Sequence, residues 1–232
     1  MWAGGCGKVS LRELCVASKF SSMRNRSDEV KSFLYLMLSG VHQQLPQVAH
    51  ILAIASSAHF LIQKGEIVNI FVTDEDPVKS AQTLCDKHVV KMVLESAQML
   101  STAWRQWDPE ASEERGLYKS AHPNHPCTKW VSEAQENYEW LYEHFKALCE
   151  EYTHRYDKQH ASSRLLNSLS IVPDFPEKAR TTFKLAMPPQ YKEDAVGERP
   201  AIYAYRDYLV HEKRSFARWE RDPSRKPDWW IS

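Results

Sequence analysis

The chain has 232 residues, 43% of them apolar and 26% charged, with 30 basic and 30 acidic side chains. These proportions are ordinary for a globular protein, and the length suffices for one domain or for a domain with an extension. The 7 Gly against 8 Trp, 10 Tyr and 8 Phe favour helices and argue against a turn-rich β architecture.

The five cysteines are widely separated, at positions 6, 15, 85, 127 and 149. They form neither a zinc-binding pattern nor a disulfide framework, which is typical of a reducing compartment. No stretch of about 18 uncharged apolar residues occurs, and the N-terminus lacks the features of a secretory signal. We therefore expect a soluble protein in the cytoplasm, or in the cell that a phage infects, with no membrane span.

Residues 1–67 and 68–232 differ in character. The first range has serine clusters and no motif, so we predict an N-terminal extension. Translation from Val68 through a GTG codon is the alternative, and it would leave that extension out of the native protein. Residues 69–232 hold 23 Lys and Arg against 26 Asp and Glu. A nucleic-acid-binding surface in this range therefore has to be local.

Apolar residues recur at helical spacing in three stretches of the second range. The motif NIFVTDEDP predicts a short extended segment, and a helix over residues 77–107 follows it. A second helix is predicted over 128–156 and a third over 201–220, with an irregular connection at 157–200. The sequence thus predicts a mainly α, compact domain with about three principal helices and a short N-terminal extended segment.

The first predicted helix carries a group of ionisable side chains. Lys91 and Glu95 are one turn apart, and His88 precedes Glu95 by two turns, about 10 Å along the axis. A carboxylate flanked by Lys and His on a mostly apolar helix can acquire a pKa suited to acid/base catalysis. We take Glu95, His88 and Lys91 as candidate catalytic residues. The alternative is a solvated ion pair beside a hydrogen-bonded histidine.

His122 and His125 lie in the motif AHPNHP, where a proline stiffens the backbone after each histidine. Together with His88, Glu95 or His144 they would form a histidine–carboxylate metal site. Capping of the following helix by His125 explains the same pattern without a metal.

Further polar side chains on the second predicted helix and in the C-terminal tail are candidates for substrate contacts. Together with the loop histidines, the candidate substrate-binding residues are His122, His125, Asn137, His144, Arg155, Arg218 and Trp229. In the tail, basic and aromatic residues alternate, as in surfaces that stack on bases, although such aromatics also dock onto their own domain. A Gly-rich phosphate loop, a nucleophile elbow and an HExxH motif are absent, and we expect no cofactor.

The motifs DPVKSAQTLCDKHVVKMVLESAQML, HPNHPCTKWV, ENYEWLYEHFKALCEEY and KPDWW resemble a family of short phage and bacterial proteins. That family distantly resembles the pyrimidine-dimer DNA glycosylases of bacteriophage. The resemblance covers residues 69–232. It rests on a histidine seven residues before a glutamate, a histidine loop before an aromatic helix, and a C-terminal pair of aromatic residues after a proline.

The resemblance implies a mechanism. In the glycosylases, a glutamate assists attack on the glycosidic carbon by the α-amine of the mature N-terminus. A Schiff base forms, and β-elimination nicks the strand. Carried over, Glu95 is the acid/base and His88 orients it or the phosphate. The basic residues that flank the family's glutamate are replaced here by Leu94, Ser96 and Ala97.

The leading hypothesis is therefore a DNA glycosylase/lyase-like enzyme that acts on damaged or modified pyrimidines in duplex DNA. Two alternatives stay open. One is a metal-dependent hydrolase acting on nucleotides, and the other is a non-enzymatic nucleic-acid-binding accessory module that works through the tail.

Overall fold

The computed structural model describes residues 68–193 and 200–231. The predicted N-terminal extension and its boundary at residue 67 lie outside the described residues. The described part holds eight α-helices, which we number α1 to α8. They are α1 (Pro77–Gln82), α2 (Asp86–Trp107), α3 (Pro109–Glu114), α4 (Pro126–Glu133), α5 (Gln135–Tyr156), α6 (Leu166–Leu169), α7 (Gln190–Glu193) and α8 (Pro200–Glu212).

The mainly helical class is confirmed, whereas the count of three principal helices is not, because two predicted helices are each divided. Asp76 caps α1 by accepting hydrogen bonds from the backbone N–H groups of Val78 and Lys79, and α1 ends at Gln82. Cys85 has an extended backbone (φ −68°, ψ 162°) before α2 begins. Ala134, also extended, separates α4 from α5. Apolar periodicity continues across both breaks, which is why spacing alone merged the helices.

The extended N-terminal segment does not form a β-strand, and no strand occurs in residues 68–193 or 200–231. Phe71 has a positive φ of 56°, which interrupts a regular extended run. The predicted third helix is also shorter than expected, since α8 ends at Glu212.

The core is built around α2 and α5, which pack against each other, with α4 against α2 and α1 against α5. Its largest fully buried side chains include Trp130, Tyr138, Phe145, Phe175 and Tyr205. The Trp104 indole N–H donates to the Tyr138 hydroxyl at 3.0 Å, so this aromatic contact also satisfies a buried polar group.

The irregular connection after α5 closes the core rather than passing over it loosely. The backbone N–H groups of Gln135 and Glu136, at the start of α5, donate to the carbonyls of Glu177 and Lys178. These bonds satisfy two of the donors that every helix leaves open at its N-terminus. The connection therefore caps α5 with main-chain groups.

None of the helices in the described ranges combines the length and the apolar character needed to cross a membrane.

Candidate active site around Glu95

Glu95 lies in the middle of α2 on the side turned towards the protein. Its side chain is 7% exposed, whereas that of Lys91, one turn earlier, is 44% exposed. The Lys91 Nζ and Glu95 Oε1 atoms are 2.9 Å apart, and the backbone N–H of Asn69 donates to Glu95 Oε2 at 3.2 Å. The carboxylate is therefore held between an accessible amine and a buried backbone N–H.

Asn69 brings the extended segment to the carboxylate, and sequence reasoning did not single it out. Its side-chain amide donates to the Ala186 carbonyl at 2.7 Å. Its Oδ1 accepts from the backbone N–H groups of Ile70 and Phe71 at 2.8 and 3.2 Å. These bonds fix the local turn and with it the N–H that faces Glu95. An asparagine at the start of an apolar run was the available signal, since such residues bond to nearby backbone.

Cys127 and Tyr205 are uncharged side chains that pack next to Asn69. The Cys127 Sγ atom lies 3.9 Å from Asn69 Oδ1 and 3.9 Å from the Tyr205 hydroxyl. Burial raises the pKa of the Cys127 thiol to about 12, and it also raises the pKa of Tyr205 well above its usual value. Because a thiol that stays protonated is a weak nucleophile, Cys127 serves as packing beside the carboxylate.

His88 lies between two aromatic rings rather than against Glu95. Its ring centroid is 4.7 Å from that of Phe71 and 5.4 Å from that of Phe216. Burial, with Lys213 and Lys91 nearby, lowers the pKa of His88 to about 3. The imidazole is therefore neutral at physiological pH. It holds Phe71, and thus the segment that carries Asn69, against α2.

The histidine loop packs along the same helix. Thr102 Oγ1 lies two turns beyond Glu95 on α2 and accepts from the Ala121 N–H at 3.0 Å. His125 Nδ1 accepts from the Cys127 N–H at 3.2 Å and so caps α4, as the alternative interpretation expected. Burial, followed by the nearby His122, lowers the pKa of His125. His122 itself is exposed and has φ 47°.

Residues 68–163 match a family model described as pyrimidine dimer DNA glycosylase. The suspected resemblance is confirmed for this segment, which runs from the extended chain at Val68 to the short 3₁₀ helix after α5. Glu95, Lys91, His88, Asn69 and the histidine loop all lie within it. Helix α8 and the tail lie outside it. No curated protein and no solved structure matches the chain.

Three predicted substrate-binding residues of the matched segment are buried, with partners inside the fold. Asn137 donates to the Trp130 carbonyl and to Thr181 Oγ1. The His144 ring is stacked on Trp140, and its Nδ1 lies 2.9 Å from the Pro77 carbonyl. Burial lowers the pKa of His144 to about 4. The structure does not bring these side chains to Glu95, and their role in substrate binding stays a prediction.

Arg155, the third of them, has a fully buried side chain that pairs with Asp86 and Glu151. It also donates to the carbonyls of Leu84 and Gln82 at 2.8 Å each. The guanidinium thus ties α5 to the turn between α1 and α2.

The metal site that the sequence left open as an alternative is not assembled among the described residues. In residues 68–193 and 200–231, no three His, Cys, Asp or Glu side chains are grouped so that they could hold a metal ion. His125 and His144 are engaged at separate places, at the start of α4 and at the α1–α5 contact.

The tail folds back onto the start of α2. Trp219 is 7% exposed, and its indole N–H donates to the Thr83 carbonyl at 3.1 Å. Trp230 packs on Trp219 with ring centroids 4.8 Å apart. The aromatics therefore dock onto the domain, as the alternative interpretation had it.

Basic side chains remain on the outer surface of the tail. Arg218 is exposed, and the Arg206 guanidinium lies 5.3 Å from the centre of the Trp229 ring. A surface groove of about 440 Å³ is lined by Arg206, Arg214 and Trp229, among others. Phe216 links this surface to the site, because Lys87 of α2 lies 5.4 Å from its ring and His88 packs against its edge.

Proposed function

We propose that the protein is a DNA glycosylase/lyase-like enzyme that acts on damaged or modified pyrimidines in duplex DNA, with Glu95 as its acid/base. One observation carries the proposal: a nearly buried carboxylate contacts a half-exposed amine within the segment that matches the pyrimidine dimer DNA glycosylase family. Protonation of a leaving base and stabilisation of positive charge on the sugar are tasks for a carboxylate of this kind.

The surroundings of Glu95 support this role. Charge–charge interactions are stronger where protein replaces water, and the 7% exposure of the Glu95 side chain gives the carboxylate such a setting. In this proposal the sugar of a damaged nucleotide approaches the carboxylate on the side where Lys91 is exposed. His88 is a positioning residue in this proposal, since its ring holds Phe71, which is two residues from Asn69.

Contacts with DNA are assigned to cations of α2 and of the segment that follows α8. Lys87 and Lys91 are exposed on α2, and Lys213 lies near enough to His88 to influence its pKa. Arg214 and Arg218 continue the series in the tail. These cations can bind phosphates locally although residues 69–232 carry more acidic than basic side chains. His122, at the exposed end of the histidine loop, is the candidate contact on the other side of Glu95.

The test measures glycosidic-bond cleavage, as strand breaks after alkaline treatment, in a duplex oligonucleotide that contains one cis-syn thymine dimer. We expect the wild-type chain to break one glycosidic bond of the dimer and leave an alkali-labile abasic sugar, and Glu95→Gln to lower the rate by about 10²- to 10⁴-fold. Glu143→Gln is the matched control, because Glu143 is a half-exposed helical glutamate that pairs with Lys146. Absence of glycosidic-bond cleavage by the wild type, or equal rates for Glu95→Gln and wild type, would contradict the proposal.

A second candidate is a DNA-binding module without chemistry, and the grooves around Trp229 and Arg206 favour it. Removing the whole tail is a poor test, because Trp219 is buried and would be lost from the fold. The variant Arg214→Ala/Arg218→Ala is sharper, since both side chains are exposed. A module predicts that this variant loses salt-dependent DNA binding while Glu95→Gln keeps all of its function.

A further inference from the structure

We propose that Leu94, with Val90 beside it, is an apolar wedge that enters the base stack next to the damaged nucleotide and sets the preference for damaged over intact duplex. The inference rests on the proposed function and deepens it by naming residues that determine specificity. It starts from the side of α2 that water reaches. In residues 86–100 the exposed side chains are Lys87, Val90, Lys91 and Leu94.

Two of these four side chains are large and apolar. Val90 is 38% exposed and Leu94 is 40% exposed, and they are four residues apart, about 6 Å along the helix axis. A single exposed leucine is ordinary on a protein surface, but Leu94 directly precedes Glu95, the candidate acid/base. Leu94 is also three residues from Lys91, a spacing that makes the two side chains neighbours on the helix surface. A ligand that reaches Glu95 past Lys91 therefore lies against the apolar pair.

The charges around the apolar pair suit a polyanion. Each of the two apolar residues has a lysine three positions before it in the chain. The acidic side chains of the same stretch, Asp86 and Glu95, are buried. Ammonium groups bind the phosphates on the outside of a duplex, and apolar side chains enter between its bases where a step is opened. The exposed side of α2 therefore offers a duplex both kinds of contact.

An apolar wedge favours damaged over intact DNA for an energetic reason. Opening a base step costs stacking free energy, and the cost is least where a lesion has already disturbed the stack. A side chain that fills the opened step offsets part of this cost through apolar contact with the base faces. In this proposal Leu94 keeps the step open while the sugar lies at Glu95.

The test compares two thymine-dimer duplexes that the full chain cleaves under single-turnover conditions. In the first duplex every base beside the dimer is paired, and in the second a run of mismatches on both sides of the dimer has already opened the stack. We expect Leu94→Ala to lower glycosidic-bond cleavage of the paired duplex by about 10- to 100-fold. The mismatched duplex should be cleaved nearly at the wild-type rate, because it needs no wedge. Val90→Ala should show the same pattern with a smaller loss.

Further variants separate apolar contact from folding. Leu94→Met keeps an apolar side chain of similar size and should cleave both duplexes like wild type, whereas Leu94→Gln should behave like Leu94→Ala. Ile171→Ala is the matched control, since Ile171 is 48% exposed and lies outside α2, and it should cleave both duplexes like wild type. Alanine has the highest helix propensity, so Leu94→Ala should keep α2 folded, which urea denaturation checks.

Two results would overturn the wedge: wild-type cleavage of the paired duplex by Leu94→Ala, or an equal loss on both duplexes. If Leu94→Ala changes the mass of the protein in sedimentation equilibrium and leaves its cleavage unchanged, the exposed side of α2 binds a second copy of the chain and the inference is wrong.

The wild-type chain separates this inference from the proposed function. If wild type cleaves the dimer duplexes and Leu94→Ala shows no selective loss on the paired one, the proposed function stands and the wedge is wrong. If wild type cleaves neither duplex, the proposed function itself fails, and the inference fails with it.

Discussion

Asp86 and Glu95 lie on the same helix and are both nearly buried, with 8% and 5% of the whole residue exposed, but their partners differ. Asp86 pairs with the fully buried Arg155. Its other oxygen accepts from the backbone N–H groups of Glu220 and Arg221 at 2.8 and 3.2 Å. All of these groups are fixed parts of the fold. The Asp86 carboxylate therefore has a structural role: it links α2 to α5 and to the tail.

Glu95 pairs instead with a lysine that is 44% exposed. A long side chain at that exposure can leave the carboxylate at little cost, because water solvates the ammonium group. The comparison teaches that burial alone does not identify a catalytic carboxylate. What distinguishes Glu95 from Asp86 is its ion pair with a half-exposed amine, which is why the proposed function assigns the acid/base to Glu95.

The largest expected loss of stability comes from removing the buried ion pairs of Arg155. Replacing Arg155 with Met removes its bonds to two carboxylates and to the carbonyls of Leu84 and Gln82. Removing one partner of a buried ion pair costs about 3–5 kcal/mol. We expect the free energy of unfolding to fall by about this amount in urea denaturation at pH 7.

The control for this change is Lys178→Met. Lys178 pairs with Asp174 on the surface, where the two side chains are 58% and 101% exposed. Such pairs contribute about 0–1 kcal/mol. If the two variants lose equal amounts of unfolding free energy, the buried network around Arg155 does not stabilise the contact between α2 and α5 more than a surface ion pair does.

The main helical stretches, though not the breaks within them, and the Lys91–Glu95 pair could be predicted from the sequence, because both depend on spacing along one helix. The Asn69–Glu95 bond could not, since it joins residues 26 positions apart in two different elements. The Cys127–Tyr205 contact spans 78 positions and carries no spacing signal at all.

The roles of polar residues at buried helix positions were also difficult to predict from the sequence. Asn137 and Arg155 interrupt an apolar helical face, which is equally consistent with a cleft or with a buried structural bond. In the structure, Asn137 bonds to Thr181, in the connection after α5, and Arg155 bonds to Leu84, in the turn between α1 and α2. No local pattern specifies partners so distant in sequence.

The second prediction concerns His88, which lies on α2 between the two carboxylates. Its folded-state pKa of about 3 is below the ordinary value of 6.5, so the unfolded chain binds a proton first as the pH falls. Stability from this group is complete above pH 6.5 and is lost as the pH falls towards 3. One pKa unit corresponds to about 1.4 kcal/mol.

His88→Phe keeps a ring between Phe71 and Phe216 but removes the titration. We expect the loss of unfolding free energy between pH 7 and pH 4.5 to shrink by about 2 kcal/mol. The acid sensitivity that remains includes that of His144, whose pKa burial lowers to about 4. If the loss between the two pH values is the same in variant and wild type, His88 is not the group that couples acid to unfolding.

The smallest expected change in the free energy of unfolding comes from replacing a carboxylate with an amide at Asp86 or at Glu95. Making the same change at both positions is the most direct test of the comparison. In Asp86→Asn, the new NH₂ group must face Arg155 or the N–H groups of Glu220 and Arg221, all of which are donors. Leaving buried donors without an acceptor costs about 1–3 kcal/mol. In Glu95→Gln, the remaining oxygen can still accept from the Asn69 N–H, and Lys91 can turn to solvent. We therefore expect a loss below about 1 kcal/mol.

Urea denaturation of both variants at pH 7, beside the glycosidic-bond cleavage assay, completes this test. Glu95→Gln should be nearly as stable as wild type yet inactive, since its loss is one of chemistry and not of folding. If Glu95→Gln is destabilised as strongly as Asp86→Asn, then Glu95 has a structural role like that of Asp86. Its loss of activity would then say nothing about catalysis.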